Sequence, residues 1–421
     1  MGIVLGAIAD DFTGATDLAN TLVGEGMSVL QAIGVPHDGL PIQNADAVVV
    51  ALKSRTAPAD EAVAKSKAAL DWLKSQGAEQ IIFKYCSTFD STAKGNIGPV
   101  ADALLEAMDQ DLAVICPAFP ANQRTIYKGT LFVGDVPLSE SSMKDHPLTP
   151  MCDSSLIRLM EAQSGNDCGL IPLETVRNGK GPIQRQIDEL RNKGKRYGVV
   201  DALTDDDLHS IGAALADHKL VTGGSGIAMG LPANLRKSGK LGASNAPVLP
   251  TARGRRLVVA GSCSAATRAQ IARAKVIWPT LKIDIDRMAD GADEVSRGVE
   301  WATAQSGDAP VLIYGSSDPD EVAQTQAKHG TERAGQMMED ALAGIAKRLA
   351  DMEFAQIFVA GGETSGAVVK ALDVRALKIG PEIAPGVPWT EAIGENPLAL
   401  ALKSGNFGKD TFFEDAFGML P

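Results

Sequence analysis

Short apolar runs alternate along the first half of the chain with longer stretches whose apolar residues return every third and fourth position. Runs at residues 3–8, 47–52, 80–84, 113–116, 198–200 and 220–222 predict strands. Stretches 15–24, 59–76, 98–108, 182–193 and 205–217 predict helices. Strands alternating with helices imply an α/β domain, a mostly parallel sheet flanked by helices. Residues 127–136 depart from this pattern and predict a hairpin with polar turns.

The alternation stops at Leu231. Residues 232–253 read PANLRKSGKLGASNAPVLPTAR, rich in Pro, Gly, Ser, Asn and Lys and without an apolar period, which predicts a linker. Beyond it, strands are expected at 257–260, 281–285, 311–314, 356–359, 375–379 and 398–402, and helices at 265–275, 293–304, 334–352 and 366–372. The reading is two α/β domains, 1–231 and 254–421, joined by 232–253. Open α/β sheets bind ligands at the carboxyl ends of their strands. The loops at those ends are therefore where ligands are expected, and the active site is expected in the cleft between the two domains.

Composition narrows the function classes. Of 421 residues, 45% are hydrophobic and 22% charged, as in a well-buried globular protein. Forty basic against 52 acidic side chains give a net charge of −12, a field that repels nucleic acid and anionic membrane as general partners. The start, MGIVLGAIADDFTGATD, lacks the basic flank of a signal peptide, and no run approaches the ~20 apolar residues of a span. A cytoplasmic location is expected, and a homo-oligomer is compatible with it. The five cysteines are scattered without C-x-x-C spacing, so neither a disulfide framework nor a zinc knuckle is expected.

Three glycine- and hydroxyl-rich turns follow apolar strands in the C-terminal half. They are Gly261-Ser262-Cys263-Ser264, Gly361-Gly362-Glu363-Thr364-Ser365-Gly366 and Lys403-Ser404-Gly405-Asn406-Phe407-Gly408. Glycines let backbone N–H groups approach an anion, and a following helix adds its dipole. Hydroxyls of Ser262, Thr364 and Ser404 can donate to phosphate oxygens, and Lys403 can neutralise them. One such turn is an ordinary tight connection; three in one domain predict a nucleotide site. No G-x-x-x-x-G-K-[ST] or strand-to-helix G-x-G-x-x-G is present, which leaves a dehydrogenase reading weak.

The N-terminal half carries different chemistry. Asp10 and Asp11 close the first strand, one expected to cap the next helix and the other to hold substrate hydroxyls, bind Mg²⁺ or act as base. The loop Lys84-Tyr85-Cys86-Ser87-Thr88-Phe89-Asp90-Ser91 suits a polyol acid: Lys84 for a carboxylate, Ser87, Asp90 and Ser91 for hydroxyls. Arg55 and Arg124 are candidates for a bidentate carboxylate clamp, and His146 is at most a substrate contact.

The stretches ADDFTGATD, KYCSTFDSTAKGNIGPV, HPLTPM, GSCS, GGETSGAVV, KIGPEIAPGVPW and LALKSGNFG together resemble the four-carbon acid sugar kinase family, over nearly the whole chain. The resemblance implies an N-terminal acid-sugar domain, a C-terminal nucleotide domain, and ATP-dependent phosphorylation of the 4-hydroxyl of a four-carbon 3-oxo acid. It implies nucleotide contacts from Ser262, Gly361 to Thr364, and Gly405, to which Ser264, Lys403 and Ser404 are added from their turns. It implies substrate contacts from Asp10, Asp11, Arg55, Lys84, Ser87, Asp90 and Arg124. The expected cofactors are ATP and Mg²⁺. Asp11 is the first expectation for the proton acceptor and Asp90 the second, with domain closure about 232–253. A kinase of unoxidised threonate or erythronate, a non-catalytic acid-sugar sensor and a NAD-dependent dehydrogenase remain the alternatives.

Overall fold

The computed structural model describes residues 2–36, 39–42, 44–146, 149–244, 246–394, 397–405 and 407–421. Pro147 and Leu148 of the HPLTPM stretch and Asn406 of the third turn lie outside the described residues. The chain divides into two compact units, residues 1–246 and 247–421.

The first unit opens with β1 (Leu5–Ala9), α1 (Phe12–Gly24), β2 (Val29–Ile33), β3 (Ala47–Ala51), α2 (Ala59–Ser75), β4 (Gln80–Lys84), α3 (Ile97–Ala107) and β5 (Ala113–Cys116). An antiparallel excursion follows, β6 (Arg124–Tyr127), β7 (Thr130–Val133) and β8 (Val136–Pro137), where the sequence predicts a hairpin. The unit then returns through α4 (Leu156–Ser164), β9 (Cys168–Ile171), α5 (Leu173–Arg177), α6 (Lys180–Asn192), β10 (Tyr197–Val200), α7 (Asp205–Ala214), β11 (Leu220–Gly223) and α8 (Leu231–Lys237). Among the described residues its main sheet runs β2-β3-β1-β4-β11-β5-β10-β9, all parallel.

The second unit contains β12 (Arg255–Ala260), α9 (Ala265–Ile277), β13 (Thr280–Lys282), α10 (Ile285–Ala289), α11 (Glu294–Ala304), β14 (Val311–Tyr314), α12 (Pro319–His329) and α13 (Thr331–Ala350). It ends with β15 (Phe354–Ala360), α14 (Gly362–Ala371), β16 (Ala376–Ala384), β17 (Val387–Ala392), β18 (Leu398–Lys403) and α15 (Phe412–Met419). Its strands run β13-β14-β12-β15-β18-β17-β16, parallel as far as β18 and antiparallel beyond. Under it Phe358, Trp389, Phe412 and Phe413 pack edge to face, and the Trp389 Nε1–H donates to Ala416 O at 2.9 Å.

Both units repeat one topological feature. The chain leaves the first strand of each toward one side of the sheet (β2 and β3; β13 and β14), then crosses to the other side for the next (β4; β15). The strand ends on either side of such a reversal diverge and leave a crevice, the usual ligand position in open α/β sheets. In the first unit it lies at the ends of β1 and β4, in the second at the ends of β12 and β15.

Four local expectations change. Residues 231–237, mostly inside the segment read as linker, form α8 because Leu231, Pro232 and Leu235 bury one face. Strand β2 went unread because Gln31 interrupts its apolar run; that amide is buried and satisfied by Thr16 Oγ1 and Phe12 O. The expected strand 281–285 ends at Lys282, since Asp284 caps α10 through the N–H groups of Asp286 and Arg287. Helix α14 starts at Gly362 rather than at 366, which puts Glu363, Thr364 and Ser365 in its first turn. Among the described residues no helix is long and apolar enough to cross a membrane.

Candidate functional site

Sheet register assembles the first cluster. Ala9 at the end of β1 lies level with Ala51 on β3 and with Lys84 on β4, so the residues that follow these strands emerge together. The Arg55 guanidinium donates to both Asp10 oxygens, from Nε at 2.9 Å and Nη2 at 2.8 Å, and from Nη2 to Asp11 Oδ1 at 2.6 Å. Its Nη1 lies 3.7 Å from Asp90 Oδ2. Asn96, buried at the start of α3, holds the Arg55 loop by donating to Ser54 O and Ala57 O at 2.8 and 2.9 Å.

Lys84 is 3% exposed, and its ammonium stands 3.7 Å from Asp11 Oδ1 with no hydrogen bond among the described residues. A buried ammonium with unused donors invites an anion. Asp11 is the N-cap of α1: Oδ1 accepts from the Gly14 N–H at 3.0 Å and Oδ2 from Thr13 Oγ1 at 2.8 Å. Burial alone raises its carboxyl, but Lys84, Arg55, Thr13 and Gly14 together hold the pKa below the ordinary value. Burial raises Asp10 in turn, and there Arg55 opposes the rise without cancelling it.

Asp90 differs from both. Oδ1 accepts from Thr88 Oγ1 at 2.7 Å, while among the described residues Oδ2 has no hydrogen bond. Phe89 and Asp90 adopt φ of 63° and 44°, the left-handed region that costs non-glycine residues about 1–3 kcal/mol each and clusters at functional sites. Phe89 is held there by burial against Tyr85. Beside it Cys86 shares its sulfur with Thr88 Oγ1 at 3.0 Å, and burial pushes the thiol up to about 11, so it stays protonated at neutral pH.

Among the described residues no hydrogen bond or ion pair ties the other expected substrate residues to this cluster. Ser91 Oγ accepts from Gln163 Nε2 at 3.0 Å. Arg124 turns Nη1 onto Asn122 O, and its buried Nε has no partner. His146 Nδ1 accepts from the Thr149 N–H at 3.1 Å. The Ser87 hydroxyl is unengaged among the described residues.

In the second unit the three turns converge because their strands are neighbours in the order β12-β15-β18. The Gly261 N–H donates to Ala360 O at 3.0 Å and the Gly361 N–H to Lys403 O at 2.8 Å, linking each turn to the end of the next strand. Two glycines permit the approach: a Cβ on Gly261 would sit 2.2 Å from Thr364 Oγ1, and one on Gly405 2.5 Å from Ser262 Oγ. Ser264 caps α9 and donates to Gly405 O at 2.6 Å. Helix α14 has no side-chain cap, and its first-turn N–H groups point out of its N-terminal end. Gly361, at φ 134°, makes that sharp entry, while Gly362 and Glu363 are exposed.

Lys403 behaves differently from its expected phosphate contact. It is fully buried and gives its protons to Thr267 Oγ1, Gly405 O and Ser404 O at 2.9, 2.8 and 3.2 Å. It braces the turn from beneath. Burial lowers its ammonium to about 8. The folded chain therefore gives up this proton first as pH rises, and the unfolded chain holds it up to about 10.4. Stability against denaturant is expected to grow between pH 8 and 10 on this account, and Lys403→Met to flatten the rise; an unchanged profile in the variant contradicts the assignment.

Two residues of this site escaped the sequence reading. Ser316 follows β14 and donates from Oγ to Ser262 O at 2.6 Å. Its Gly315-Ser316-Ser317 run after an apolar strand carries the same signal as the other three turns. Thr267 bridges Lys403 to Gly405 O from inside α9, and no local pattern distinguishes it from any other helical threonine.

The two units match two family models, "Sugar-binding N-terminal domain" over residues 5–231 and "Nucleotide-binding C-terminal domain" over 257–413. The chain is 53% identical over 419 residues to a 3-oxo-tetronate kinase of Pseudomonas fluorescens, covering 99% of this chain and 97% of that one. A crystal structure from Haemophilus influenzae superposes with a TM-score of 0.86 at 44% identity, covering 99% and 100% of the two chains. One from Salmonella typhimurium LT2, described as a tRNA synthase, superposes with a TM-score of 0.91 at 44% identity over 98% of both.

Proposed function

As the chain belongs to the four-carbon acid sugar kinase family, we propose that it is an ATP-dependent kinase acting on the 4-hydroxyl of a four-carbon 3-oxo sugar acid. The observation that carries the reading to this site is Lys84: an ammonium 3% exposed, without a hydrogen bond among the described residues, beside Arg55 and three carboxylates. It suits the substrate carboxylate, while Asp10 and Asp11 hold Arg55 and Lys84 in place. The tRNA description of the Salmonella relative finds little support here, because 40 basic against 52 acidic side chains give no field for a polyanion.

Phosphoryl transfer asks a protein for positioning and charge stabilisation. The turns after β12, β15 and β18 and the uncapped start of α14 receive the phosphates, with Lys403 setting the shape of the third turn. Mg²⁺ characteristically binds through substrate phosphates, waters and only one or two carboxylates. Among the described residues no three His, Cys, Asp or Glu side chains are grouped to hold a metal. The ion is therefore expected to arrive on the nucleotide, where it neutralises phosphate charge. Asp90 is the better placed proton acceptor, since among the described residues one of its oxygens accepts no hydrogen bond and meets only Arg55 Nη1 at 3.7 Å, while Asp11 is occupied as a cap. The reaction requires the two sites to be brought together, and a cytoplasmic setting supplies the ATP.

A coupled ADP-release assay with Mg-ATP against four-carbon acids, oxidised and unoxidised at C3, tests the reading. Turnover with the 3-oxo acid alone supports it. Turnover only with threonate or erythronate moves the substrate and keeps the kinase, and silence favours the acid-sugar sensor.

Gly14 offers a sharper probe. A Cβ there would lie 1.9 Å from Lys84 Nζ and 2.2 Å from Asp11 Oδ1. Both the Lys84 ammonium and the capping Asp11 carboxylate must give way, so Gly14→Ala is expected to raise KM for the acid about tenfold, as one displaced charged hydrogen bond predicts, together with the loss of Tm that a disturbed cap brings. An unaltered KM removes Lys84 from carboxylate binding.

A further inference from the structure

Beside the turn after β14 the second unit holds a cavity of about 580 Å³, whose walls include Ile283, Gly315, Ser317, Gln324, Thr325 and Met338. We propose that this cavity receives the nucleoside half of the nucleotide, base and ribose, while the turns after β12, β15 and β18 hold its phosphates. The proposal rests on reading those turns as a phosphate site.

Three observations carry it. The first is continuity. Gly315 N–H donates to Ala260 O at 2.9 Å and Ser316 Oγ to Ser262 O at 2.6 Å, so the cavity wall is tied to the Gly261–Ser264 turn. Strands lie ~4.8 Å apart, so the β14 turn stands about 10 Å from the β15 turn across β12, within reach of a nucleotide extending from its phosphates to its base.

The second is charge. Most of the cavity's ionic side chains are paired: Lys282 with Glu321, Arg287 and Arg297 both with Glu294, and Lys328 with Asp286, while Asp284 is taken up as the cap of α10. Among the described residues the Ser317 hydroxyl, the Gln324 amide and the Thr325 hydroxyl carry no hydrogen bond. A site with its charges neutralised and neutral donors and acceptors left over suits an uncharged polar ligand better than a second phosphate.

The third is the apolar wall. Met338 lies over Gly315 with Sδ 2.0 Å from where a Cβ would stand, and Ile283 is 1% exposed beneath. A thioether packed on bare backbone gives a polarizable surface that favours an aromatic ring. Another cavity of this unit, about 780 Å³, is lined by Arg253, Arg255, Arg256 and Glu353 at the amino ends of β12 and β15, the end opposite the turns, and offers no such continuity.

Calorimetric titration of the full chain with ADP and with inorganic tripolyphosphate tests the proposal. The double variant Gln324→Ala/Thr325→Ala alters two exposed or half-buried side chains that have no hydrogen-bond partner among the described residues, and Met338→Trp fills the cavity. Each is expected to weaken ADP about tenfold, as the loss of one or two hydrogen bonds predicts, and to leave tripolyphosphate within about twofold. ADP binding unchanged in both variants overturns the proposal, as does a parallel loss of tripolyphosphate. A wild-type chain that binds tripolyphosphate as tightly as ADP overturns the cavity alone, whereas one that binds neither ligand overturns the nucleotide reading and the proposal with it.

Discussion

Asp90→Asn is expected to lower kcat by about 10²–10⁴-fold, the usual contribution of a positioned general base, with KM for the acid and the Kd for ADP little altered. The argument is one of availability. Asp90 Oδ1 takes a hydrogen bond from Thr88, while Oδ2 lies 3.7 Å from Arg55 Nη1 and accepts none among the described residues, on a backbone held at φ 44°. Amide for carboxylate keeps the shape and removes the proton acceptor. Asp11→Asn is the companion measurement. Asparagine caps helices about as well as aspartate, so α1 survives, but Lys84 and Arg55 lose a neighbouring charge. Its main effect is expected on KM. If Asp11→Asn instead carries the kcat loss and Asp90→Asn turns over normally, the roles of the two carboxylates are exchanged.

Arg55→Ala is expected to cost about 3 kcal/mol of folding stability and most of the activity. Removing one partner of a buried ion pair typically costs about 3–5 kcal/mol, because the other charge stays behind. Here Asp10 remains, 4% exposed, with Asp11 beside it; the side chain of Arg55 is 22% exposed, which places the cost at the lower end. The pH dependence has a definite sign. Burial holds the Asp10 carboxyl above its ordinary value, so the folded state binds the proton more readily than the unfolded one, and stability falls as pH rises through the interval above 3.8. Without Arg55 that pKa climbs further, and the variant's deficit shrinks as pH is lowered from 7 toward 5. Denaturant titrations at both pH values check this; a deficit that is equal at the two, or absent, contradicts the pairing. Arg55→Lys restores charge without the bidentate geometry and is expected to recover part of the stability.

Particular residues show where sequence reasoning reached and where it stopped. Strands such as Ala47–Ala51 and Gln80–Lys84 were legible because they are buried along their whole length and so read as unbroken apolar runs. Strand β2 was not, because buried Gln31 breaks its run, and whether Thr16 is there to satisfy it is decided on another element. Lys84 and Lys403 look alike in sequence, each closing an apolar strand. Among the described residues one ammonium has no hydrogen bond and the other is bound by three oxygens, a difference made by Thr267 and the Ser404 and Gly405 carbonyls.

The sequence by itself determined the class of fold, the two-part organisation and the inventory of chemistry, because apolar periodicity and turn composition are local and are written in consecutive residues. Register and strand order were decided only in the tertiary structure. They set Asp10, Arg55, Lys84 and Asp90 in one cluster although the four span 80 positions of chain, and left Ser91, Arg124 and His146 tied elsewhere. The physical reason is that a carboxylate's role follows from which donors occupy its oxygens and how far it is buried, and both depend on neighbours distant in sequence.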